Sequence, residues 1–315
     1  MALQFKLMIF AVIILLSLGF GIYYIVHHYL AYSAICPRRV DRNNEVLRFP
    51  SFPPTISYRN QFTVVTRDSI RLSCEYYSVE QRIPKATIIL VHGISSCKEH
   101  MYGIAEWLLS DYDIIVYDQR AHGQSEGKFC TFGAKEKLDI SDIINKVESD
   151  SMLRSSRLGI MGFSLGAAVA MQAMAQESRI QCGIFEGGFA SFRETYHDYG
   201  ERMIQLRIPS FTDYVLTQSE RLAQFSVDTV CPEKSVASIQ APVLFIHGED
   251  DKHIPVQYAK RNYAACGSSK KKLHIVKDAQ HHDLGDKGGT AYRDIVLSFL
   301  HEVFEGNQPK TKNTE

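Results

Sequence analysis

The chain has 315 residues, and its 35 Lys plus Arg are matched by 35 Asp plus Glu, so its formal net charge is zero. That length is enough for one large α/β domain or two smaller domains. The even charge balance argues against the basic face that nucleic-acid binding requires, so no nucleic-acid partner is expected. The seven cysteines are scattered, with no C-x-x-C pair and no zinc-type histidine spacing. This pattern argues against a disulfide framework and a metal site, and it favours reduced thiols.

The N-terminal stretch is long and apolar. Leu7 to Val26 is a run of 20 residues without a charge, which is long enough to cross a bilayer as a helix. Tyr23 and Tyr24 suit the aromatic belt of a membrane interface. A cleaved signal peptide is the alternative, but its apolar core is shorter and no small-x-small cleavage site follows here. We therefore predict an uncleaved, single-pass membrane anchor over residues 1–30. Basic residues flank it on both sides, so the side that the rest of the chain occupies stays open.

A stalk and then a series of short strands are predicted after the anchor. Residues 31–60 mix charged residues with prolines and are interpreted as the stalk. From Gln61 to Val79 the alternation predicts two antiparallel strands with a turn near 67–69. The later apolar runs are Thr87–Val91, Ile114–Tyr117, Leu158–Met161, Cys182–Phe185, Val243–Ile246 and Leu273–Val276. Such continuous runs are typical of parallel strands covered on both faces. Helical stretches near Cys97–Leu109 and Ala134–Val147 alternate with them, which predicts a doubly wound α/β sheet.

A nucleophile motif follows the run that ends at Met161. Gly162 to Gly166 has the pattern G-x-S-x-G, placed between an apolar strand and an Ala/Met-rich helix, as this motif requires. The turn strains Ser164, and the glycines two residues to either side leave space around it. The Ser164 hydroxyl would then stand at the C-terminal end of the strand. The backbone N–H of Leu165, in the first helical turn, would point to where an oxyanion forms.

The alternation of strands and helices lapses between residues 192 and 239. Apolar residues recur there at helical spacing, and Pro209 separates two helical pieces. These residues are Tyr196, Tyr199, Met203, Ile204, Tyr214, Val215, Leu222 and Phe225. An insertion at this place would lie above the strand ends as a lid, with its apolar residues forming a wall that faces Ser164. Residues 305–315 are polar and are predicted to be a disordered tail.

A serine nucleophile needs a base, and histidine is the usual one because its pKa lies near the working pH. His281 and His282 directly follow the last apolar run, so both are candidates. The preceding run ends in acidic residues at 249–251, one of which could orient the imidazole. The order serine, acid, histidine is the order of α/β-hydrolases.

Five motifs resemble the α/β-hydrolase superfamily of serine hydrolases, specifically its lysophospholipase and serine-aminopeptidase-like group, over about Phe62 to Phe304. They are the His-Gly turn Leu90–Gly93, the loop Asp118–Gly127, the elbow Gly162–Gly166, the H-G-x-x-D-x-x-V/I-P motif His247–Pro255, and Gln280-His281. The resemblance implies that Asp251 is the acid and that His281, in preference to His282, is the base. It also implies that the N–H of Ile94 completes the oxyanion hole with that of Leu165.

The same resemblance implies an architecture and an activity. We expect an α/β-hydrolase fold over residues 61–304: a mostly parallel, doubly wound eight-stranded sheet with a helical lid at 192–239, preceded by one transmembrane helix. The implied activity is that of a serine hydrolase that forms an acyl-enzyme on Ser164 without a metal or organic cofactor. An apolar lid and an anchor at residues 7–26 suit a small-molecule or lipid substrate, a carboxylic ester or thioester with an apolar acyl group.

Two alternatives remain open. A peptidase of the serine-aminopeptidase type would use the same residues, although the lid lacks an acidic cluster that would bind an amine. A non-catalytic α/β-hydrolase scaffold could instead act as a membrane-bound binding protein. Such scaffolds usually lack one or more of the three catalytic residues, whereas all three are present here in matching contexts.

Overall fold

The structure is a computed structural model that describes residues 2–40, 58–79, 82–151, 154 and 157–306. Most of the predicted stalk, residues 41–57, and the predicted tail from residue 307 onward lie outside the described residues. The helices are α1 (Ala2–Tyr24), α2 (Ala31–Ile35), α3 (Tyr102–Leu108), α4 (Glu136–Ser149), α5 (Leu165–Met174), α6 (Phe192–Ile204), α7 (Pro209–Ala223), α8 (Pro232–Val236), α9 (Gln257–Ala265) and α10 (Leu284–Phe304).

An eight-stranded sheet forms the centre of the globular part. Its strands are β1 (Tyr58–Val65), β2 (Arg71–Ser78), β3 (Thr87–Val91), β4 (Asp113–Tyr117), β5 (Leu158–Phe163), β6 (Ile180–Glu186), β7 (Val243–Gly248) and β8 (Lys271–Val276). The spatial order is β1-β2-β4-β3-β5-β6-β7-β8. β2 pairs antiparallel with both β1 and β4, and the other pairs are parallel. The predicted mostly parallel sheet is confirmed.

Both faces of the sheet are covered by helices. Apolar residues of α4, α5 and α9 pack on one face, and those of α3 and α10 pack on the other. Every residue of β3 and β4 is buried, because a strand between two helical layers has no face in contact with water. This layering explains why the strands have continuous apolar runs, and it confirms the doubly wound arrangement.

The helix predicted near Cys97–Leu109 is shorter than expected. It begins with a 3₁₀ turn, Lys98–Met101, and only then continues as α3. The reason is that Asp118, after β4, accepts hydrogen bonds from both the backbone N–H and the Nζ of Lys98, each at 2.8 Å. These two bonds hold the first turn against the neighbouring loop, away from ideal helical geometry.

Helix α5 is buried along its whole length and approaches β3 closely. A Cβ added at Gly166 would lie 2.0 Å from the carbonyl oxygen of Val91 and 2.6 Å from that of His92. Both neighbours are backbone atoms that cannot rotate aside. The glycine is therefore required for the contact between α5 and the end of β3.

We expect Gly166→Ala to destabilise the protein by about 3 kcal/mol, because the helix and the strand must separate to admit the methyl group. Urea unfolding of the full chain in detergent, followed by circular dichroism, measures this loss. Gly285→Ala is the matched control, since nothing lies within 4 Å of a Cβ added there. Equal midpoints for the two variants would contradict the close contact.

The lid insertion consists of α6, α7, a 3₁₀ turn at Val227–Thr229 and α8. The prediction that its apolar residues together form an inner wall is wrong in part. Val215 and Leu216 are buried, whereas Met203 is 67% exposed and Ile204 is 54% exposed. The physical reason is that α6 and α7 pack on the core through the ends distant from their connection, so residues 201–211 are all exposed.

The N-terminal helix is continuous from α1 through a π-helical turn, Ile25–Leu30, into α2. Within the described part of the chain, one helical run, Leu3–Ile35, is long and apolar enough to cross a membrane; an 18-residue window within it has a mean hydropathy of 2.5. None of that apolar window is buried against the protein. These properties are consistent with the predicted anchor.

The segment after the apolar run packs on the globular part, although a stalk was predicted from residue 31. Ala31 and Ile35 are buried. The hydroxyl of Ser219 in α7 donates to the carbonyl of Ala31 at 3.0 Å. Arg39 donates at 2.6–3.3 Å to four carbonyls of the loop after β4, those of His122, Gly123, Ser125 and Gly127. The segment from Ala31 to Arg39 is therefore fixed to both the lid and this loop.

Candidate active site

Ser164 occupies a sharp turn between β5 and α5. Its φ of 55° and ψ of −118° are unfavourable for a residue with a side chain. The Ser164 N–H donates to the carbonyl of Glu186 at 2.7 Å, which fixes the turn to β6. A Cβ at Gly162 would lie 2.2 Å from the carbonyl oxygen of Gly166, so the turn also requires that glycine. The predicted strand–turn–helix context of the motif is therefore observed.

Three of the predicted side chains lie in one hydrogen-bonded line. The Oγ of Ser164 is 2.9 Å from Nε2 of His281, and Nδ1 of His281 is 2.6 Å from Oδ2 of Asp251. Asp251 and His281 lie in the loops after β7 and β8, and Ser164 follows β5, so all three residues lie at the C-terminal ends of the parallel strands. Because the carboxylate accepts from Nδ1–H, Nε2 carries a lone pair that can accept the serine proton.

Asp251 is buried and strongly hydrogen-bonded. Its Oδ1 accepts the backbone N–H groups of His253 and Ile254, each at 2.8 Å. Burial alone would raise the pKa of Asp251, but hydrogen bonds from His247 and His281 hold that pKa well below its usual range. The carboxylate is therefore ionised, and its negative charge stabilises an imidazolium formed at His281.

His247 is a residue whose role the sequence analysis did not identify. It is fully buried at the end of β7. Its Nε2 donates to the carbonyl of Ile254 at 2.7 Å and lies 3.3 Å from Oδ2 of Asp251. His247 thus closes the acid loop and supports the carboxylate. The only available signal was its place at the start of the motif that contains Asp251.

The two predicted oxyanion donors border Ser164. Ile94 lies in the turn after β3, and a Cβ added at the adjacent Gly93 would be 3.5 Å from the Cβ of Ser164. Leu165 is the first residue of α5, where N–H groups have no intrahelical partner. Among the described residues, neither N–H donates a hydrogen bond to another protein group. Both are free to receive a substrate oxygen, and their oxyanion role stays a prediction.

The His281 ring is held by its neighbours. A Cβ added at Gly187, where φ is 59°, would lie 3.2 Å from Cε1 of His281. The rings of Phe163 and His282 have centroids 5.1 Å and 4.8 Å from that of His281. His282 is exposed, and it is His281 that accepts the hydrogen bond of the Ser164 hydroxyl. Gly187 was not predicted, because a single glycine after a strand has no specific signature.

His92 connects the ends of β3 and β4 and is fully buried. Its Nδ1 donates to the carbonyl of Gly93 at 2.7 Å, and its Nε2 accepts the N–H of Gln119 at 3.0 Å. Burial lowers the pKa of His92 well below its usual value, and the electrostatic effect of the neighbouring His122 lowers it further. The neutral ring is a structural link between two strand ends near the site.

Within the residues that the structure describes, no group of three or more His, Cys, Asp or Glu side chains is arranged to hold a metal ion. Cys97 and Cys130 lie near the loops of the site and are fully buried. Burial raises the pKa of Cys97 to about 12. A thiol that stays protonated in this way is a weak nucleophile.

Glu186 is a buried carboxyl beneath the serine turn. The hydroxyl of Tyr292 in α10 donates to it at 2.5 Å, and burial raises the pKa of Glu186 from 4.5 to about 7. Between these two values the folded protein retains a proton that the unfolded chain has released. Stability therefore falls as pH rises through this window and stays lower above it.

We expect Glu186→Gln to remove this pH dependence, because the amide still accepts from Tyr292 but does not ionise. The stability of the wild type relative to the variant should fall by on the order of 2 to 3 kcal/mol between pH 4.5 and 7.5. Urea unfolding in detergent at a series of pH values measures the difference. Glu106→Gln, at an exposed position, is the control. Parallel pH curves for wild type and Glu186→Gln would contradict the assignment.

Comparison with known proteins identifies the family. The model of the prolyl oligopeptidase family (peptidase S9) matches residues 130–307, more than half of the chain, and this range includes Ser164, Asp251 and His281. The chain belongs to the prolyl oligopeptidase family. Membership of this hydrolase family, together with the fold, confirms the predicted resemblance to α/β-hydrolases, and the chain is a hydrolase of that fold.

The similarity to individual proteins is low in sequence identity but extends over most of the chain. The chain is 28% identical over 240 residues to the protein YqkD of Bacillus subtilis, covering 74% of this chain and 76% of that protein. It is 26% identical over 246 residues to the membrane protein YNL320W of Saccharomyces cerevisiae, covering 77% and 79%. A solved esterase of Pyrococcus furiosus superposes with a TM-score of 0.68 at 24% identity, covering 85% of this chain and 99% of that one. This last similarity shows a shared fold.

Proposed function

We propose that the protein is a membrane-anchored serine hydrolase that cleaves a carboxylic ester or thioester with an apolar acyl group. One observation carries the proposal. Ser164 Oγ, the His281 ring and the Asp251 carboxylate are joined by contacts of 2.9 Å and 2.6 Å, with the serine on a strained turn. This is the geometry of a nucleophile, its base and the group that orients the base.

The first half of the reaction acylates the serine. Ser164 Oγ attacks the acyl carbonyl carbon while His281 Nε2 takes the hydroxyl proton, and Asp251 stabilises the resulting imidazolium. The carbonyl oxygen becomes an oxyanion, which the N–H groups of Ile94 and Leu165 stabilise. The tetrahedral intermediate then collapses. His281 gives its proton to the leaving alcohol or thiol, and the acyl group stays on Ser164.

The second half releases the acid. Water takes the place of the leaving group, and His281 Nε2 accepts one of its protons as the oxygen attacks the acyl carbon. The second oxyanion occupies the same hole. When this intermediate collapses, His281 returns the proton to Ser164 Oγ and the carboxylic acid leaves. No metal or organic cofactor takes part in this scheme.

An ester substrate is favoured over a peptide with a free amino terminus, because carboxylates of the lid are already paired. An ammonium group would bind most favourably to a carboxylate whose charge no arginine already balances. The acidic residues of the lid bond instead to arginines, to a tyrosine hydroxyl or to a backbone N–H: Glu194, Asp198, Glu201, Asp213, Glu220, Asp228 and Glu233. The peptidase alternative is supported by the match to a peptidase family. An esterase and a peptidase of this kind would use the same acyl-transfer chemistry.

The membrane location rests on two observations. The run Leu3–Ile35 has the length and hydropathy of a membrane span. A relative that matches 77% of this chain is described as a membrane protein. An anchored hydrolase encounters substrates held in or near the bilayer, which suits an apolar acyl group.

A series of p-nitrophenyl esters from acetate to decanoate tests the substrate class. We expect kcat/KM to rise with chain length, by at most about fourfold for each methylene that becomes buried. Ser164→Ala in the same detergent is the control for non-enzymatic hydrolysis. A preference for acetate would contradict the apolar acyl assignment. Failure to hydrolyse any member, together with tight binding of one of them, would support the scaffold alternative.

A further inference from the structure

An apolar patch is exposed at the connection between α6 and α7. We call this patch the lid tip; it consists of Met203, Ile204, Leu206, Ile208 and Phe211, whose exposed fractions are 67%, 54%, 58%, 37% and 36%. Five large, exposed apolar residues within nine positions are a concentration of apolar surface that a protein surrounded by water rarely presents. Such a surface indicates that the lid tip contacts another apolar surface or a lipid bilayer.

The anchor passes directly beside this patch. Nδ1 of His27 lies 2.6 Å from the hydroxyl of Tyr214, one helical turn after Phe211 in α7. The ring centroids of His27 and Tyr214 are 6.0 Å apart. The predicted apolar span ends at Val26, so His27 marks the level at which the chain leaves the hydrocarbon. If the span crosses the bilayer at this level, Tyr214 stands at the membrane interface, where tyrosine is enriched.

The contacts farther along α7 hold this arrangement. Ser219, more than one turn after Tyr214, bonds to the carbonyl of Ala31, and α2 packs along α7. The anchor thus follows α7 from Tyr214 to Ser219 and fixes the height of the lid relative to the bilayer. The lid tip lies at the end of α7 that points back toward the span.

We propose that the lid tip inserts into the lipid bilayer beside α1, as a second and shallow membrane contact. The bilayer is the occupant that the observations favour, because the hydrogen-bonded anchor brings the same leaflet to the lid tip. Arg207, between two residues of the patch, has a side chain that is 59% exposed and forms an exposed ion pair with Glu201 at 3.4 Å. A cation among apolar residues is typical of segments that lie in the headgroup region.

Insertion would place the mouth of the site at the bilayer surface. Arg202, at the end of α6, donates to the carbonyl of Lys252 at 2.8 Å. Lys252 is adjacent to Asp251, so the end of α6 that leads into the lid tip also contacts the acid loop. An acyl substrate could then pass from the leaflet to Ser164. This consequence rests on the proposed function, whereas the insertion itself does not.

Depth-dependent quenching tests the insertion without any assay of activity. Met203→Trp and Leu206→Trp are made separately in the full chain, and each is reconstituted into phosphatidylcholine vesicles with or without bromine on the acyl chains. Wild type, with its single Trp107, gives the baseline. Ile83→Trp is the matched control, because Ile83 is 90% exposed and lies before the N-terminal end of β3, whereas the site lies at the C-terminal ends of the strands.

We expect the emission added at 203 and 206 to shift to the blue and to be quenched in brominated vesicles, while that added at 83 is unchanged. Equal emission in both kinds of vesicle at 203 and 206 would overturn the proposal. A blue shift without bromine quenching would also overturn it, because it would mean that a second copy of the chain covers the patch.

A second variant connects the patch to the reaction. Met203→Glu combined with Leu206→Glu should leave the hydrolysis of a water-soluble short-chain ester unchanged and lower that of a long-chain ester embedded in vesicles. An equal fall with both substrates would contradict delivery from the membrane. If the wild type hydrolyses neither ester, the proposed function fails, and the quenching result still decides whether the lid tip inserts.

Discussion

His281→Asn is expected to lower kcat/KM for ester hydrolysis by about 10⁴-fold or more. The imidazole is the group that lies 2.9 Å from Ser164 Oγ, and an asparagine amide cannot take the hydroxyl proton at neutral pH. The residual rate would come from the oxyanion donors and from substrate binding. Steady-state hydrolysis of a p-nitrophenyl ester measures the loss, and circular dichroism verifies that the variant is folded.

The chain provides its own control in the next residue. His282 has its ring centroid 4.8 Å from that of His281, but its side chain is exposed. His282→Asn should therefore retain activity within a few-fold of the wild type. If the two variants lose activity equally, or if His282→Asn is the inactive one, the assignment of the base is wrong.

Asp251→Asn is expected to lower kcat by about 10⁴-fold. Oδ1 of Asp251 accepts two backbone N–H groups, so an asparagine would retain its carbonyl oxygen there and turn its NH₂ group toward His281. An NH₂ group donates to Nδ1 and so favours the tautomer with its proton on Nε2. That tautomer cannot accept the proton of Ser164.

Asp250→Asn is the matched control for this substitution, because Asp250 is the exposed neighbour of Asp251. Its activity should stay near that of the wild type. Restoration of activity in Asp251→Glu, which again presents a carboxylate, would support an orienting and electrostatic role. Near-normal kcat in Asp251→Asn would contradict that role.

Much of this site could be predicted from the sequence, because its motifs are local. Gly162 is required by a backbone contact with Gly166, four residues further along, and such a local requirement leaves a fixed spacing in the chain; Gly166 is required by the backbone at the end of β3. The places after two apolar runs predict an acid among residues 249–251 and a base at His281 or His282, since parallel strands all end at the same side of the sheet. The choice of His281 depended on the resemblance of Gln280-His281 to a family motif. The choice of Asp251 over its acidic neighbours depended on the motif that begins at His247.

The contacts of the anchor and the lid could not be predicted in this way. His27 and Tyr214 are 187 residues apart, and no periodic pattern relates them. Helical spacing shows which lid residues share a face, but it does not show which part of each helix reaches the core. Met203 and Ile204 were therefore expected inside and are exposed. The docking of Ala31 and Ile35 depends on the same long-range packing, which a run of small and apolar residues does not specify.

Labelling with a serine-reactive alkyl phosphonate tests the central claim most directly. The full chain in detergent is treated with the probe, and mass spectrometry of its peptides locates the adduct. We predict one adduct on Ser164, formed rapidly in the wild type and absent from Ser164→Ala. Labelling that persists undiminished in Ser164→Ala, or an adduct on another residue of the wild type, would contradict the account.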